Sequence, residues 1–216
     1  AAAFEAARDD WGMAASSLAN DLRRLRGIAT GQGGLFAGLK AGARVVLAGK
    51  RLVPAGCYSL HLVCAARSAA ALAADLDQCR TLLARCGGQE IPNSIPMGVR
   101  AQPFDNLNGV LGPKGERWMA LNAKVRHGDA QRIITRFGEL IGPYRERMAG
   151  ASVTCSTLFT AMNTHAFSFE VVYHWPDRWL PLHRATADPA FLAKLPPDTP
   201  NPAGSTLVAE LRERTL

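Results

Sequence analysis

Long apolar runs and long runs of like charge are both missing from this sequence. No stretch approaches the roughly 18 uninterrupted apolar residues that a membrane span needs, and no basic start followed by an apolar run indicates a secretory signal. Aromatic residues are also few, at 7% of the 216 residues. Because 48% of the residues are hydrophobic and 20% are charged, the composition is that of a globular protein and excludes disorder as a description of the whole chain.

The excess of positive charge is spread along the chain. Lysine and arginine outnumber aspartate and glutamate by 25 to 18, which gives a net charge of +7. The densest clusters are Arg23, Arg24 and Arg26, followed by Lys50 with Arg51. Neither a zinc-finger spacing nor the aromatic and basic pattern of an RNA-recognition motif occurs. We therefore expect no nucleic-acid partner, and a basic nucleic-acid-binding domain stays the minor alternative.

The cysteines lack the pairing pattern of a metal or disulfide scaffold. The chain has five cysteines, an odd number, and none of them forms a CxxC pair. This pattern favours neither a disulfide framework nor a structural zinc site. Cys79 and Cys86 share a helical face with Leu72, Leu76 and Leu83. The sequence thus predicts buried free thiols and a reducing, cytoplasmic location.

Residues 1–56 are predicted to form a helical N-terminal part. An apolar stripe runs from Phe4 through Trp11 to Leu25, and a second helix is predicted over 35–52. The glycine-rich break between them, Thr30–Gly34, has neither GxxxxGK[ST] nor GxGxxG spacing, so it is not a phosphate loop.

Residues 57–216 are predicted to form an α+β domain. Alternating apolar residues predict strands over 58–66, 117–127, 153–159 and 165–175. Helical periodicity predicts helices from the cap Ser68 to Cys86, from the cap Asp129 to Met148, and over 203–212. A long loop over 89–115 and an extended proline-rich segment over 176–202 complete the chain. This order favours an antiparallel sheet with helices on one face, with ferredoxin-like connections and extra N-terminal helices.

Polar residues occupy one face of two predicted strands. Trp118, Asn122 and Lys124 alternate with apolar residues on one strand, and Ser168, Glu170 and His174 do so on the other. If the two faces coincide, they form a polar floor for a ligand, because an antiparallel sheet can leave one face free of helices. The alternative is an outer sheet face in contact with solvent.

Histidine spacing argues against a metal site. His165 and His174 are nine residues apart on one strand, which is about 30 Å, and they project to opposite faces. Glu170 shares a face with His174 but lies about 13 Å away by the same spacing. No GxSxG elbow of a serine hydrolase occurs. Metal binding is therefore not expected.

Arg100 lies between two prolines in the long loop, Pro96 and Pro103. A planar guanidinium in such a constrained segment could hold a carboxylate through two hydrogen bonds. The other interpretation is an arginine that ties the loop to nearby carbonyl groups.

Several segments resemble FAD-linked oxidases of the vanillyl-alcohol-oxidase superfamily, in their C-terminal or cap domain. The resemblance covers roughly residues 35–185 and is nearest to the branch of D-lactate dehydrogenase and glycolate oxidase. The residues that carry it are Asn93-Ser-Ile-Pro96, Val99-Arg-Ala101, Pro103-Phe104, Leu107-Asn-Gly-Val-Leu-Gly-Pro113, Gly115-Glu-Arg-Trp118, Tyr58-Ser-Leu-His-Leu62 and Phe169-Glu-Val-Val-Tyr-His-Trp-Pro-Asp177.

The resemblance implies an FAD-dependent oxidoreductase of a small hydroxy acid, alcohol or phenol. In that family the cap lies over the flavin and shapes the substrate pocket, while a separate domain grips FAD. No phosphate loop of that domain is found here, so we expect it to lie outside this chain and the 216 residues to be inactive alone. The resemblance assigns roles as follows: substrate binding to Arg100, Asn122 and Lys124; cofactor contact to Trp118 and Asn93; catalysis to His174 or Glu170.

Two departures separate the chain from this family. Asn122 stands in Trp118-Met-Ala-Leu-Asn122 where relatives often have a histidine, and the metal motif HxGDGNxH is not found near His165. The FAD-binding domain of the same protein and an anionic small molecule are the expected partners, and a homo-oligomer is compatible with the resemblance. The alternative function is a free-standing ferredoxin-like binding module without flavin.

Overall fold

The structure is a computed structural model, which describes residues 57–91, 108–112, 114–162 and 165–216, and the backbone of residues 2–5. The described residues fall into two compact units, whose boundary lies at the end of the second strand. One unit contains residues 61–91, and the other contains the remaining described residues. The predicted division of the chain at residue 57 stays a prediction.

The larger unit is built on a five-stranded sheet with the order β2-β1-β4-β5-β3. Its strands are β1 (Ala2–Glu5), β2 (Tyr58–His61), β3 (Arg117–Val125), β4 (Thr154–Met162) and β5 (Ala166–Trp175). The pairs β3–β5, β4–β5 and β1–β4 are all antiparallel. The chain is therefore α+β with an antiparallel sheet, as the alternation of apolar residues predicts.

Helices cover one face of this sheet. α2 (Ala130–Ile141), α3 (Arg145–Gly150) and α6 (Pro202–Thr215) contribute core residues that pack on the odd-numbered side chains of β5. The buried core consists of Ile141, Met148, Val153, Phe159, Phe169, Val171, Tyr173, Trp175, Leu207, Val208 and Leu211. Apolar and polar residues alternate along β5 because only its odd-numbered side chains reach this core. The ferredoxin-like connectivity stays a prediction.

The helix predicted from Asp129 to Met148 is interrupted. A 3₁₀ turn, Gly142–Tyr144, separates α2 from α3. Pro143 cannot donate a backbone hydrogen bond inside a helix, which explains the break. Asp129 precedes α2 but does not cap it through its side chain, because the carboxylate pairs with Arg126 and Arg132 instead.

The sequence predicted an extended proline-rich segment over 176–202, but this segment contains two short helices. These are α4 (Pro181–Thr186) and α5 (Pro189–Leu192), each with proline in its first turn. Proline is favoured there because its fixed φ suits the first helical position, which needs no N–H. α6 is longer than predicted, because Asn201 caps its start by accepting a hydrogen bond from Gly204 N at 2.9 Å.

The smaller unit contains α1 (Ala69–Arg85), which matches the predicted helix. Ser68 caps it as predicted, since its hydroxyl accepts from Ala71 N at 3.2 Å, and Gly87 follows its end with φ +77°. The half-buried helix residues include all four members of the predicted apolar stripe, although none is fully buried: Leu72, Leu76, Cys79 and Leu83.

Three sequence predictions need correction in this part of the chain. Residues 2–5 form a strand whose Phe4 pairs with Leu158, whereas the sequence predicted a helix there. β2 ends at His61, five residues earlier than predicted, and Tyr58 and Leu60 on it are exposed. The described cysteines are thiols and form no disulfide, but Cys86, which the sequence predicted to be buried, is exposed. The helices predicted over the rest of 1–56 lie outside the described residues.

Candidate functional site

The two polar strand faces predicted from the sequence coincide. In the antiparallel register Asn122 lies opposite Glu170, Lys124 opposite Ser168 and Trp118 opposite His174. Residues directly opposite each other in an antiparallel pair project to the same side. These side chains therefore share the sheet face opposite to the one that α2, α3 and α6 cover.

Asn122 joins its neighbours on this face into one hydrogen-bonded group. Its Nδ2 donates to Glu170 Oε2 at 3.0 Å, and its Oδ1 accepts from Lys124 Nζ and from Ser168 Oγ, both at 3.0 Å. We call these four residues the Asn122 cluster. Asn122 and Lys124 are exposed, Glu170 is half-buried and Ser168 is buried. The cluster thus presents an ammonium, an amide and a carboxylate to one place, supported by a buried hydroxyl.

His174 lies on the same face but at the other end of the sheet. It is only 4% exposed, and its Nε2 is 3.3 Å from Ser156 Oγ. Burial lowers the pKa of His174, although the carboxylate of Glu116 opposes this shift. It lies four positions from Glu170, about 13 Å along the strand, and the pair Ala120–Val172 lies between them. The two catalytic candidates are therefore not brought together.

Trp118 is an exposed aromatic side chain beside His174. The residue is 42% exposed, and its Nε1 donates to Gly109 O at 2.9 Å. Gly109 belongs to a 3₁₀ turn, Asn108–Val110. The bond fixes the orientation of the indole, so that a flat apolar surface is held at the edge strand of the sheet.

An ionic network that sequence reasoning missed holds the start of β3 to the end of β5. Arg117 pairs with Asp177 at 3.0 Å and lies over the ring of Trp175 at 5.0 Å. The same carboxylate accepts from Ser205 Oγ and from the backbone N–H of Asn201. The only signal in the sequence is the segment Trp175-Pro-Asp177, which the resemblance quotes but which does not reveal these partners.

Asp177 is held ionised by this network. Burial by itself raises its pKa, but the hydrogen bonds from Ser205, Asn201 and Arg178 and the charge of Arg117 outweigh that effect, and the net pKa is lowered. We call Arg117, Trp175, Asp177, Asn201 and Ser205 the Asp177 network. Because Arg117 precedes Trp118 on β3, the network anchors the strand that carries half of the polar face.

The loop that enters β3 is closed by Glu116. Its carboxylate accepts from Lys114 N at 2.8 Å, and its backbone oxygen accepts from Gly112 N at 2.8 Å. A Cβ on Gly112 would lie 2.6 Å from Glu116 Oε2, so a larger residue there would require the Glu116 carboxylate to move. Gly115 has φ +84° and lies against the ring of Trp179, whose Nε1 donates to Gly115 O.

Two predicted site residues, Asn93 and Arg100, lie outside the described residues. His165 is exposed and His174 is buried. Within the described ranges, no group of three or more histidine, cysteine, aspartate or glutamate side chains could hold a metal ion.

Comparisons with known proteins give no match to this chain: no family model, no curated protein and no solved structure is similar enough. A search of the described helices for one long and apolar enough to cross a membrane finds none.

Proposed function

We propose that this chain is the substrate-binding cap domain of an FAD-dependent oxidoreductase. Its substrate would be a small hydroxy acid, an alcohol or a phenol. The observation that carries the proposal is the Asn122 cluster, which gathers charged and hydrogen-bonding groups on the sheet face opposite the helices. The segments that resemble FAD-linked oxidases supply the second support, because two of them, Gly115–Trp118 and Phe169–Asp177, contribute residues to adjacent strands of this face.

The residues on this face are of the kinds that FAD requires, an aromatic surface and hydrogen-bond donors, although Trp118 lies about 13 Å from Asn122 along β3. Trp118 offers an exposed aromatic surface in a fixed orientation. Lys124 and Asn122 are exposed donors. FAD, when bound, would accept the two electrons that the substrate loses. Its main binding domain is proposed to lie in the same protein.

Oxidation of an alcohol carbon to a carbonyl releases a hydride and a hydroxyl proton, and the proton needs a base. We assign that role to Glu170, since it is half-buried and Asn122 Nδ2 orients it from 3.0 Å. A protonated Glu170 returns its proton to solvent after the product leaves. His174 is too enclosed at 4% exposure to reach a ligand on this face, so a structural role with Ser156 suits it better.

Lys124 is the group that would select the substrate. Its ammonium is exposed, and Asn122 Oδ1 holds it at 3.0 Å. A carboxylate or phenolate would pair with this cation, whereas Glu170 would face the hydroxyl group. The site therefore favours a hydroxy acid or an acidic phenol. We propose a cytoplasmic location on separate grounds, because thiols stay reduced there.

The first test is the absorption spectrum of the natural protein that carries this chain. It is expected to show the bands of oxidised flavin, and these are expected to bleach anaerobically with hydroxy acids or phenols. A colourless protein that binds no FAD would contradict the proposal and would favour the free-standing binding module. Salt-sensitive binding to DNA would favour the basic nucleic-acid-binding domain instead.

The second test separates substrate recognition from folding. Lys124→Met is expected to raise the KM for anionic substrates by about 10-fold or more, because a hydrogen bond to a charged group that the bound substrate shields from solvent is worth roughly 1.5–3 kcal/mol. Lys194→Met is the matched control, since Lys194 is also exposed but lies near the end of α5. Equal KM values for the two variants would refute the role of Lys124.

A further inference from the structure

Two of the cysteines face each other within the smaller unit. Cys64 Sγ and Cys79 Sγ are 4.0 Å apart, and one thiol donates a hydrogen bond to the other. Cys64 belongs to the connection between β2 and α1, and Cys79 lies in the middle of α1. Both side chains are half-buried, so small molecules in solution can reach them.

We propose that Cys64 and Cys79 form a reversible dithiol–disulfide couple, which low-molecular-weight disulfides such as glutathione disulfide oxidise. This inference does not depend on the flavin proposal. It rests on the approach of the two sulfur atoms, which need to close by about 2 Å to reach the bonded distance of roughly 2.05 Å. Rotation of the two side chains about their Cα–Cβ bonds can supply a movement of that size.

The reaction is a pair of thiol–disulfide exchanges. One cysteine thiolate attacks glutathione disulfide, so that a mixed disulfide forms and one glutathione leaves. The second cysteine, after losing its proton, attacks the mixed disulfide and expels the other glutathione. In total the two protein thiols lose two protons and two electrons, and glutathione disulfide takes them up as two molecules of glutathione.

The resting form in a reducing compartment is the dithiol. Burial and the hydrogen bond with Cys79 raise the pKa of the Cys64 thiol, so that it stays protonated at neutral pH. A thiol of this kind is slow to oxidise further to sulfinic or sulfonic acids, because that chemistry follows thiolate character. The neighbouring Cys79 makes the disulfide its favoured oxidised form.

The other cysteines described do not offer an equivalent pair. Cys57 and Cys86 are exposed, and Cys155 belongs to β4 in the larger unit. Oxidation of Cys64 and Cys79 would close a loop between positions 15 residues apart and fasten the connection after β2 to α1. The state of this connection would then report the redox potential of the surroundings.

The experiment is peptide mapping of the full chain after incubation in glutathione redox buffers. Free thiols are blocked with an alkylating agent, and the protein is digested with trypsin without reduction. Cleavage after Arg51, Arg67 and Arg80 gives peptides 52–67 and 68–80. Because the first of these also contains Cys57, the measurement is made in the wild type and in Cys57→Ser, which changes an exposed residue.

The expected result is a linked pair of peptides 52–67 and 68–80 in the wild type and in Cys57→Ser. The link should disappear when reduced glutathione is added in excess. The link should persist in the double variant Cys57→Ser with Cys86→Ser. It should be absent in the double variant Cys57→Ser with Cys64→Ser. Circular dichroism of each variant verifies that the fold is kept.

Three outcomes would overturn the proposal. One is separate mixed disulfides of Cys64 and Cys79 with glutathione, without a link between them. Another is a link between Cys79 and Cys86, which would appear as peptide 68–80 joined to peptide 86–100. The third is complete alkylation of both thiols at every glutathione ratio.

Discussion

Replacing Asp177 with asparagine is expected to destabilise the larger unit strongly, although aspartate and asparagine side chains have almost the same shape. Asp177 Oδ1 accepts from the backbone N–H groups of Arg178 and Asn201, and Oδ2 accepts from Arg117 and Ser205. An asparagine oxygen can keep the first two bonds. Its amide nitrogen then faces the Arg117 guanidinium, donor against donor.

The cost follows from what Arg117 loses. The side chains of Arg117 and Asp177 are 23% and 12% exposed, so solvent can compensate only a small part of the lost charge. A hydrogen bond to a charged group contributes about 1.5–3 kcal/mol, and leaving one partner of a buried pair unpaired costs up to about 3–5 kcal/mol. We expect a loss of about 3 kcal/mol in the free energy of unfolding, or roughly 6–12 °C in Tm.

The assay is urea unfolding followed by tryptophan fluorescence, with Glu139→Gln in the same unit as the matched control. Glu139 pairs with Arg136 where both are more than half exposed, at 63% and 80%, so its replacement should cost about 1 kcal/mol or less. The pKa of Asp177 is lowered from 3.8, so its contribution is complete above that pH and disappears as the pH falls through the lower folded-state pKa. The difference between wild type and Asp177→Asn should therefore be constant from neutral to mildly acidic pH and shrink below about pH 4. Equal costs for the two variants would refute this reasoning.

Two further predictions concern the frame around the site. Gly115→Ala should cost about 2 kcal/mol, because φ is +84° and the new Cβ would lie 3.2 Å from the ring of Trp179. Gly138→Ala, in the middle of α2 with open space around the new Cβ, should stabilise the larger unit by about 0.5–1 kcal/mol. Thermal unfolding of the two variants measures both effects, and a loss of stability in both would contradict the argument from φ. Burial raises the pKa of Tyr173 to about 12, although its hydrogen bond with Thr215 opposes the shift, so ultraviolet titration of the folded protein should show a phenol that ionises only near pH 12. A titration that is complete well below that pH in the folded protein would contradict the burial of Tyr173.

The sequence predicted the sheet well because alternation along a strand depends on local chemistry. β5 was predicted over 165–175 and runs Ala166–Trp175. β3 was predicted over 117–127 and runs Arg117–Val125. The sequence predicted a shared polar face only if the two strands pair suitably, because the face requires the register that places Asn122 opposite Glu170. Register depends on long-range pairing, which periodicity does not contain.

Long-range contacts explain what the sequence did not predict. Nothing near Asp177 in the chain indicates that Ser205 and Asn201 would meet its carboxylate, since the partners are 24 to 28 residues away. Asp129 had the residue type of a helix cap, but two neighbouring arginines compete for its carboxylate. Residues 2–5 form a strand because β4 offers them a pairing edge, and helical periodicity carries no information about that edge.

The rate of anaerobic flavin reduction in Glu170→Gln tests the central claim most directly. The natural protein that carries this chain is mixed with a hydroxy acid, and the loss of flavin absorption is followed in wild type, Glu170→Gln and the control Glu139→Gln on the exposed side of α2. If Glu170 accepts the hydroxyl proton, its replacement should slow reduction by about 10²–10⁴-fold, with Tm unchanged, and Glu139→Gln should behave as wild type. Equal reduction rates in all three proteins would contradict a site on this face of the sheet.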